Sequence, residues 1–246
     1  MSIGSRLLPA LVAGCSLIVA QAQPWQSRSA PGEGPNPARA PEPVEVHPAS
    51  EQLEEAREDL LEAVHVVRRM KADPQVLQLL QRAQGLFIVN DYAHAALGVG
   101  VQGGEGVLVT RRGNDFGDPI FFNMGALSIG AQAGATRGEI AFLLMTERAV
   151  QRFLDERTFS LTAGAGLSFA NYQARGMAAT GKLSDVVVWT GAPGLYAGIN
   201  VGALGVLPDG EANRAYYGRD DATALQIASG RIPNPHRNVL AMVLRI

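Results

Sequence analysis

The chain has 246 residues, of which 18% are charged, and a net charge of −2 at pH 7. That length supports one sizeable core or two small ones, and the near-neutral balance excludes a global field that gathers nucleic acid. The single cysteine excludes an intramolecular disulfide. The four histidines (His47, His65, His94 and His236) stand at no metal-ligand spacing, so the sequence offers no metal site.

Arg6 precedes the apolar run LLPALVAGCSLIVA. A transmembrane helix needs about 20 apolar residues, and this shorter, interrupted run reads instead as the core of a secretory signal over residues 1–22. Two processing routes stay open. Ala20–Ala22 offers small-residue cleavage before Gln23, whereas VAGC at Val12–Cys15 resembles a lipobox in which Cys15 is lipidated. The expectation is an exported protein, periplasmic or, if Cys15 is acylated, associated with the outer membrane.

Residues 23–49 hold seven of the fourteen prolines. Such a segment builds neither a helix nor a central strand and has little to bury, so it reads as a disordered linker or tether. Residues 50–246 remain for a single domain. It opens with a helix, SEQLEEAREDLLEAVHVVRRMK, with Ser50 as candidate cap. Leu53, Ala56, Leu60, Val64, Val67 and Met70 recur at three- and four-residue spacing and form one apolar stripe. Acids crowd its first half, while Arg68, Arg69 and Lys71 crowd the end, which complements the helix dipole. Asp73-Pro74 stops the helix and opens a second, short one.

From Gly85 onward the pattern changes to short apolar or alternating runs: GLFIVND, ALGVGVQ, GVLVTRR, IFFNMGALSIGAQAG, FSLTAGAGLSFA, DVVVWTG and GLYAGINVGALGV. Between Gly85 and Gly218 lie 23 of the 28 glycines. A helix is expected near Thr146–Glu156, and another closing at Gly230 with Asp220 or Asp221 as its cap; HRNVLAMVLRI fits either strand or helix. Strands without a helix after each one argue against a doubly wound parallel sheet. The expected fold is α+β: a glycine-rich, mostly antiparallel curved β-sheet or barrel-like sandwich with an N-terminal amphipathic helix and flanking helices.

Three motifs invite a chemical reading. GVGVQG at Gly98–Gly103 fits G-x-G-x-x-G, but the β-branched run that follows leaves no helix N-terminus for a phosphate. A hairpin with its turn at Gly103–Gly106 is expected instead. GMAATGKL at Gly176–Leu183 fits GxxxxGK, yet Leu183 stands where the magnesium-binding Ser or Thr belongs, so Lys182 is left as a surface cation. NRAYYG at Asn213–Gly218 places Arg214 and two aromatics just before an expected helix, as an anchor or a binding group. No serine, cysteine or acidic pair forms a catalytic constellation, and no nucleotide or cofactor is implied.

Five segments together resemble the SYLF domain family: LLQRAQGLFIV, GGEGVLVTRRGNDFGDPIFFNMGALSIGAQAG, EIAFLLMTERAVQRF, FSLTAGAGLSFA and GLYAGINVGALGVLPDGEANRAYYG. The last is the most specific. The resemblance implies a non-enzymatic domain that binds phospholipid, with the amphipathic helix contributing to membrane contact. It makes Arg68, Arg69 and Lys71, together with Lys182 and Arg214, candidate lipid contacts. The chain departs from many members at Asp115-Phe116-Gly117 and at Thr190-Gly191-Ala192-Pro193, where basic character is missing. The expected partner is therefore an anionic phospholipid surface of the envelope rather than a phosphoinositide. An envelope protein is the alternative partner.

Overall fold

The computed structural model describes residues 48–155, 159–160, 167–172, 184–192 and 205–245. Helix α1 spans Ala49–Lys71. It starts one residue before the expected Ser50 cap, because the Pro48 carbonyl already accepts from the amides of Glu51 (2.8 Å) and Gln52 (3.2 Å). No side chain caps this end. The stripe read from the sequence is buried from Ala56 to Met70 and is widened by Ala63 and Val66. Burying side chains such as Leu60, Val67 and Met70 contributes about 1.5–3 kcal/mol each, so packing holds this helix more than propensity does.

Helix α2, Pro74–Arg82, has Pro74 in its first turn and Asp73 as its cap, accepting from the Gln75 amide at 2.9 Å. Arg111 closes the other end. Its guanidinium donates to the carbonyls of Leu80 (3.0 Å), Gln81 (3.3 Å) and Ala83 (2.8 Å), with its Cζ 4.4 Å from the Phe116 ring centre.

Strand β1, Gly85–Arg112, pairs antiparallel with β3, Ile120–Leu144, from Gly85↔Leu144 to Leu108↔Ile120. The three expected strands GLFIVND, ALGVGVQ and GVLVTRR are thus one 28-residue strand. The expected turn at Gly103–Gly106 is corrected: those residues pair with Gly125, Met124, Asn123 and Phe122 in mid-ladder. The chain reverses instead at Gly113, at φ +62°, where β2, Asp115–Phe116, folds back onto Arg111 and Arg112. A residue without a Cβ suits that left-handed position.

The glycines serve a close approach within β1. Register shifts between Val89 and Tyr92 and between Leu97 and Val99 mark irregularities in the ladder, where bulges bend strands. The hairpin doubles over, so the Arg111 amide reaches the Gln84 carbonyl at 2.7 Å. A Cβ on Gly106 would lie 2.5 Å from the Ile88 carbonyl oxygen. Between these layers Phe87 stacks on Phe142 (5.9 Å between centres) and meets Phe122 and Phe153 edge-on.

The end of β3 pairs with β6, Val186–Thr190, which pairs in parallel with β5, Phe169–Asn171. The start of β3 pairs with β7, Gly205–Pro208, which pairs with β4, Phe159–Ser160. The sheet is curved, mostly antiparallel and, among the described residues, not closed into a barrel. Helix α3, Glu147–Leu154, is capped by Thr146 and packs Phe153 into the core.

NRAYYG does not precede a helix, as the sequence suggested, but forms most of one. Asp209 caps α4, Gly210–Tyr217, and Gly218 ends it at φ +62°. Buried Asn213 docks that helix: its Oδ1 accepts from the Phe121 amide (3.0 Å), and its Nδ2 donates to the carbonyls of Phe121 (2.9 Å) and Asp209 (2.6 Å). Tyr217 donates its hydroxyl to the Pro119 carbonyl at 2.7 Å. Thr223, not the expected Asp220 or Asp221, caps α5, Ala224–Ala228, and Asp221 is engaged by Arg219. The ambiguous last segment is a helix, α6, Val239–Leu244.

Candidate functional site

The solvent face of α1 is the first candidate surface. Arg57, Leu61, His65 and Arg68 are all exposed and follow one another at four-, four- and three-residue steps, which places them along one side of a helix. Leu61 keeps 56% of its surface in water. Arg57 bonds Glu54 on its own helix, and Glu58 and Glu62 are also exposed. The basic character is therefore concentrated toward Arg68. Among the described residues Arg68 has no hydrogen-bond or salt-bridge partner.

Its two neighbours have internal partners. Arg69 bonds the Glu139 carboxylate (2.5 Å) and the Gly191 carbonyl (3.0 Å), tying α1 to the end of β3 and the residue after β6. Lys71 donates to the carbonyls of Val243 (2.8 Å) and Arg245 (3.1 Å). A cation there satisfies the free carbonyls at the C-terminus of α6.

Arg214 lies elsewhere. It sits on α4 and lines a cavity of about 430 Å³ beside the first half of α1. Residues 55 and 69 of α1 are separated by roughly 21 Å of helix at 1.5 Å per residue, so Arg214 and the Arg68 cluster form no single basic site. Lys182 and Cys15 lie outside the described residues, as does the whole GMAATGKL segment.

Around the cavity, Glu55 and Asp59 of α1 face Glu105 of β1 and Asp209 and Glu211 at the start of α4. Burial pushes the Asp59 carboxyl up to about 7; Glu105, Glu62 and Glu55 add to the rise, and the bond from Asn90 opposes it. Glu105 is raised too, first by burial and then by Asp209 and Glu55. Buried Asn90 donates from Nδ2 to the Asp59 carbonyl at 2.9 Å and lies 3.4 Å from its carboxylate. This cluster escaped sequence reading, which assigned Asp59 to the acids that favour the helix dipole. Its spacing from Glu55 and Glu62 is the one local signal; Glu105 is distant in sequence.

Among the described residues no three His, Cys, Asp or Glu side chains are grouped to hold a metal ion, and no helix is long and apolar enough to cross a membrane. The Ser168 hydroxyl is committed to Asp185, donating at 2.8 Å while accepting from the Asp185 amide at 2.9 Å. This bonding ties the approach to β5 to the cap of α3, where Asp185 also accepts from Thr146 at 3.0 Å.

The fold and these surfaces define an α+β domain whose exposed helix and flanking cavity suit binding. Residues 125–245 match the Ysc84 family model, described as Las17-binding protein actin regulator. The chain carries a domain of this family, the SYLF family its sequence resembles. It is 32% identical over 162 residues to Protein YSC84 of Saccharomyces cerevisiae, covering 64% of this chain and 34% of that protein. LAS seventeen-binding protein 3 of the same yeast is also 32% identical, over 64% of this chain and 35% of its own length. SH3 domain-containing YSC84-like protein 1 of Xenopus laevis is 28% identical, over 64% and 48%. The match thus spans about a third of the two yeast relatives. Of these three names, that of LAS seventeen-binding protein 3 states a binding role. No solved structure matches the chain.

Proposed function

We propose that this chain is a non-enzymatic, phospholipid-binding domain of the bacterial cell envelope that meets anionic membrane surfaces through the outer face of α1. The observation carrying this reading is the exposed row of Leu61, His65 and Arg68 on a helix whose opposite face is packed in the core. An apolar side chain can enter the headgroup boundary while each basic residue near an anionic surface contributes about 1 kcal/mol. Arg69 and Lys71 add positive potential at that end while bonding to the fold. Arg214, beside the carboxylates, and Lys182 are secondary contacts in this reading. Export rests on the signal-like segment ahead of the proline-rich tether. The mature mass tests it, separating cleavage before Gln23 from acylation at Cys15; an uncleaved chain would remove it.

The full chain should co-sediment with phosphatidylglycerol-containing vesicles more than with phosphatidylcholine vesicles. Absence of binding to both would sink the lipid reading. A second reading, a protein-interaction module, is favoured by the Las17-binding names of the relatives. It predicts one crosslinked envelope partner in cells and no lipid preference.

A further inference from the structure

The two ends of α1 are fastened differently. The last turn is held by the bonds of Arg69 and Lys71 described above, whereas no side chain caps the first turn. Between them lies Asp59, partly buried at the cavity, with carboxylates on three elements around it. Glu55 and Glu62 share its helix, Glu105 comes from β1, and Asp209 and Glu211 come from the start of α4. Arg214 is the one cation among the described cavity-lining residues, and Arg137, paired with Asp91, senses Glu62. Asp209 is already occupied, accepting from the Ala212 amide and from Asn123, both at 2.9 Å. Beside Asp59, the buried Asn90 Oδ1 has no hydrogen-bond partner. Asn90 turns its Nδ2 toward Asp59, 3.4 Å from the carboxylate, a contact that favours the ionised form and that burial and the surrounding carboxylates outweigh.

We propose that this cluster turns the seating of α1 into a protonation switch: with Asp59 neutral, residues 53–62 close over the cavity, and with Asp59 ionised they lift while the last turn stays anchored. Closing requires the carboxyl to enter a buried, negative setting, where the charged form is disfavoured. Its pKa is about 7 in the closed helix against roughly 3.9 in water. The closed form therefore binds the proton more tightly. Closure is fully favoured below about pH 4 and weakens as pH rises through 7, by up to about tenfold per unit and on the order of 100-fold between pH 5 and 8. The device itself needs no lipid. Its consequence, a larger apolar face offered to a membrane when Ala56 and Leu60 lift, rests on the proposed lipid function.

Hydrogen–deuterium exchange of the full chain without lipid, corrected for intrinsic rates, tests the switch separately from vesicle binding. Protection of amides 53–62 should fall by tens-fold from pH 5 to pH 8, while amides 66–71 change far less. Asp59→Asn should keep 53–62 protected at pH 8 and remove the pH dependence. Glu105→Gln, which removes the strongest charge repulsion on Asp59, should move the transition to lower pH. A wild-type profile flat with pH, or an unchanged slope in Asp59→Asn, would overturn the proposal. Should Asp59→Asn fail to fold, an unmoved transition in Glu105→Gln would overturn it equally.

Discussion

Replacing Gly106 with alanine tests the close approach within β1. The added methyl would lie 2.5 Å from the Ile88 carbonyl oxygen, 2.7 Å from Phe87 Cε2 and 3.0 Å from its Cζ. Comfortable carbon contacts are about 3.5–4.0 Å, so backbone and ring must separate by several tenths of an ångström to an ångström. The ring cannot easily move, because Phe87 is fully buried among Phe122, Phe142 and Phe153. Overpacking of this kind costs about 1–3 kcal/mol, and a backbone clash sets it near the upper end. The smaller unfolded-state entropy of alanine returns about 0.4–1 kcal/mol. The net expectation is a loss of roughly 2 kcal/mol, or about 4–8 °C in Tm for a domain of this size. Thermal unfolding followed by circular dichroism measures it. Gly125→Ala is the control: its Cβ would meet only the Gln102 carbonyl oxygen, at 3.7 Å, an ordinary contact. Equal stability of the two variants would refute the close-approach argument.

Asn213→Ala should cost about 1–3 kcal/mol, because the buried Phe121 amide loses its acceptor, while the carbonyls of Phe121 and Asp209 keep the backbone amides of Asp209 and Asn213; urea unfolding gives the value. Lys71→Met should cost about 1 kcal/mol through the exposed carbonyls at the end of α6, with faster amide exchange in that helix as the readout. The pKa of Asp185 is lowered, chiefly by the Ser168 amide and further by the Ser168 and Thr146 hydroxyls. The folded state thus favours its ionised form, and that stability, present above the ordinary carboxylate value, is lost as pH falls through the lowered one. Asp185→Asn should therefore flatten the acid limb of stability below pH 4, measured as Tm against pH.

Helix α1 was legible because a 3.6-residue period depends only on neighbours along the chain. The same holds for α2, where Asp73-Pro74 marks both a stop and a start. The course of β1 was not legible. Whether a glycine makes a turn or admits a neighbouring backbone depends on what lies beside it, and Ile88 approaches Gly106 only once the hairpin has doubled over. In α4 the cap lies at Asp209, four residues before Asn213, so a helix expected only after Gly218 left Asn213 ahead of the helix rather than inside it. Thr223 was overlooked because the adjacent aspartates are equally good caps. The carboxylate cluster needed the fold, since its members come from α1, β1 and α4. Of the candidate lipid contacts, sequence identified the cations, but only geometry distinguishes exposed Arg68 from Arg69 and Lys71, which bond to the fold.

The most direct test of the membrane reading is titration of the full chain carrying Leu61→Asp and Arg68→Glu with phosphatidylglycerol vesicles, beside the wild type. Both side chains point to water and hold nothing in the fold, so Tm should stay within about a degree or two. Loss of one apolar insertion and reversal of one charge should together weaken binding by tenfold or more. Wild-type binding that falls in this way at constant Tm is the predicted result. Equal binding by the two proteins would contradict α1 as the membrane-facing element.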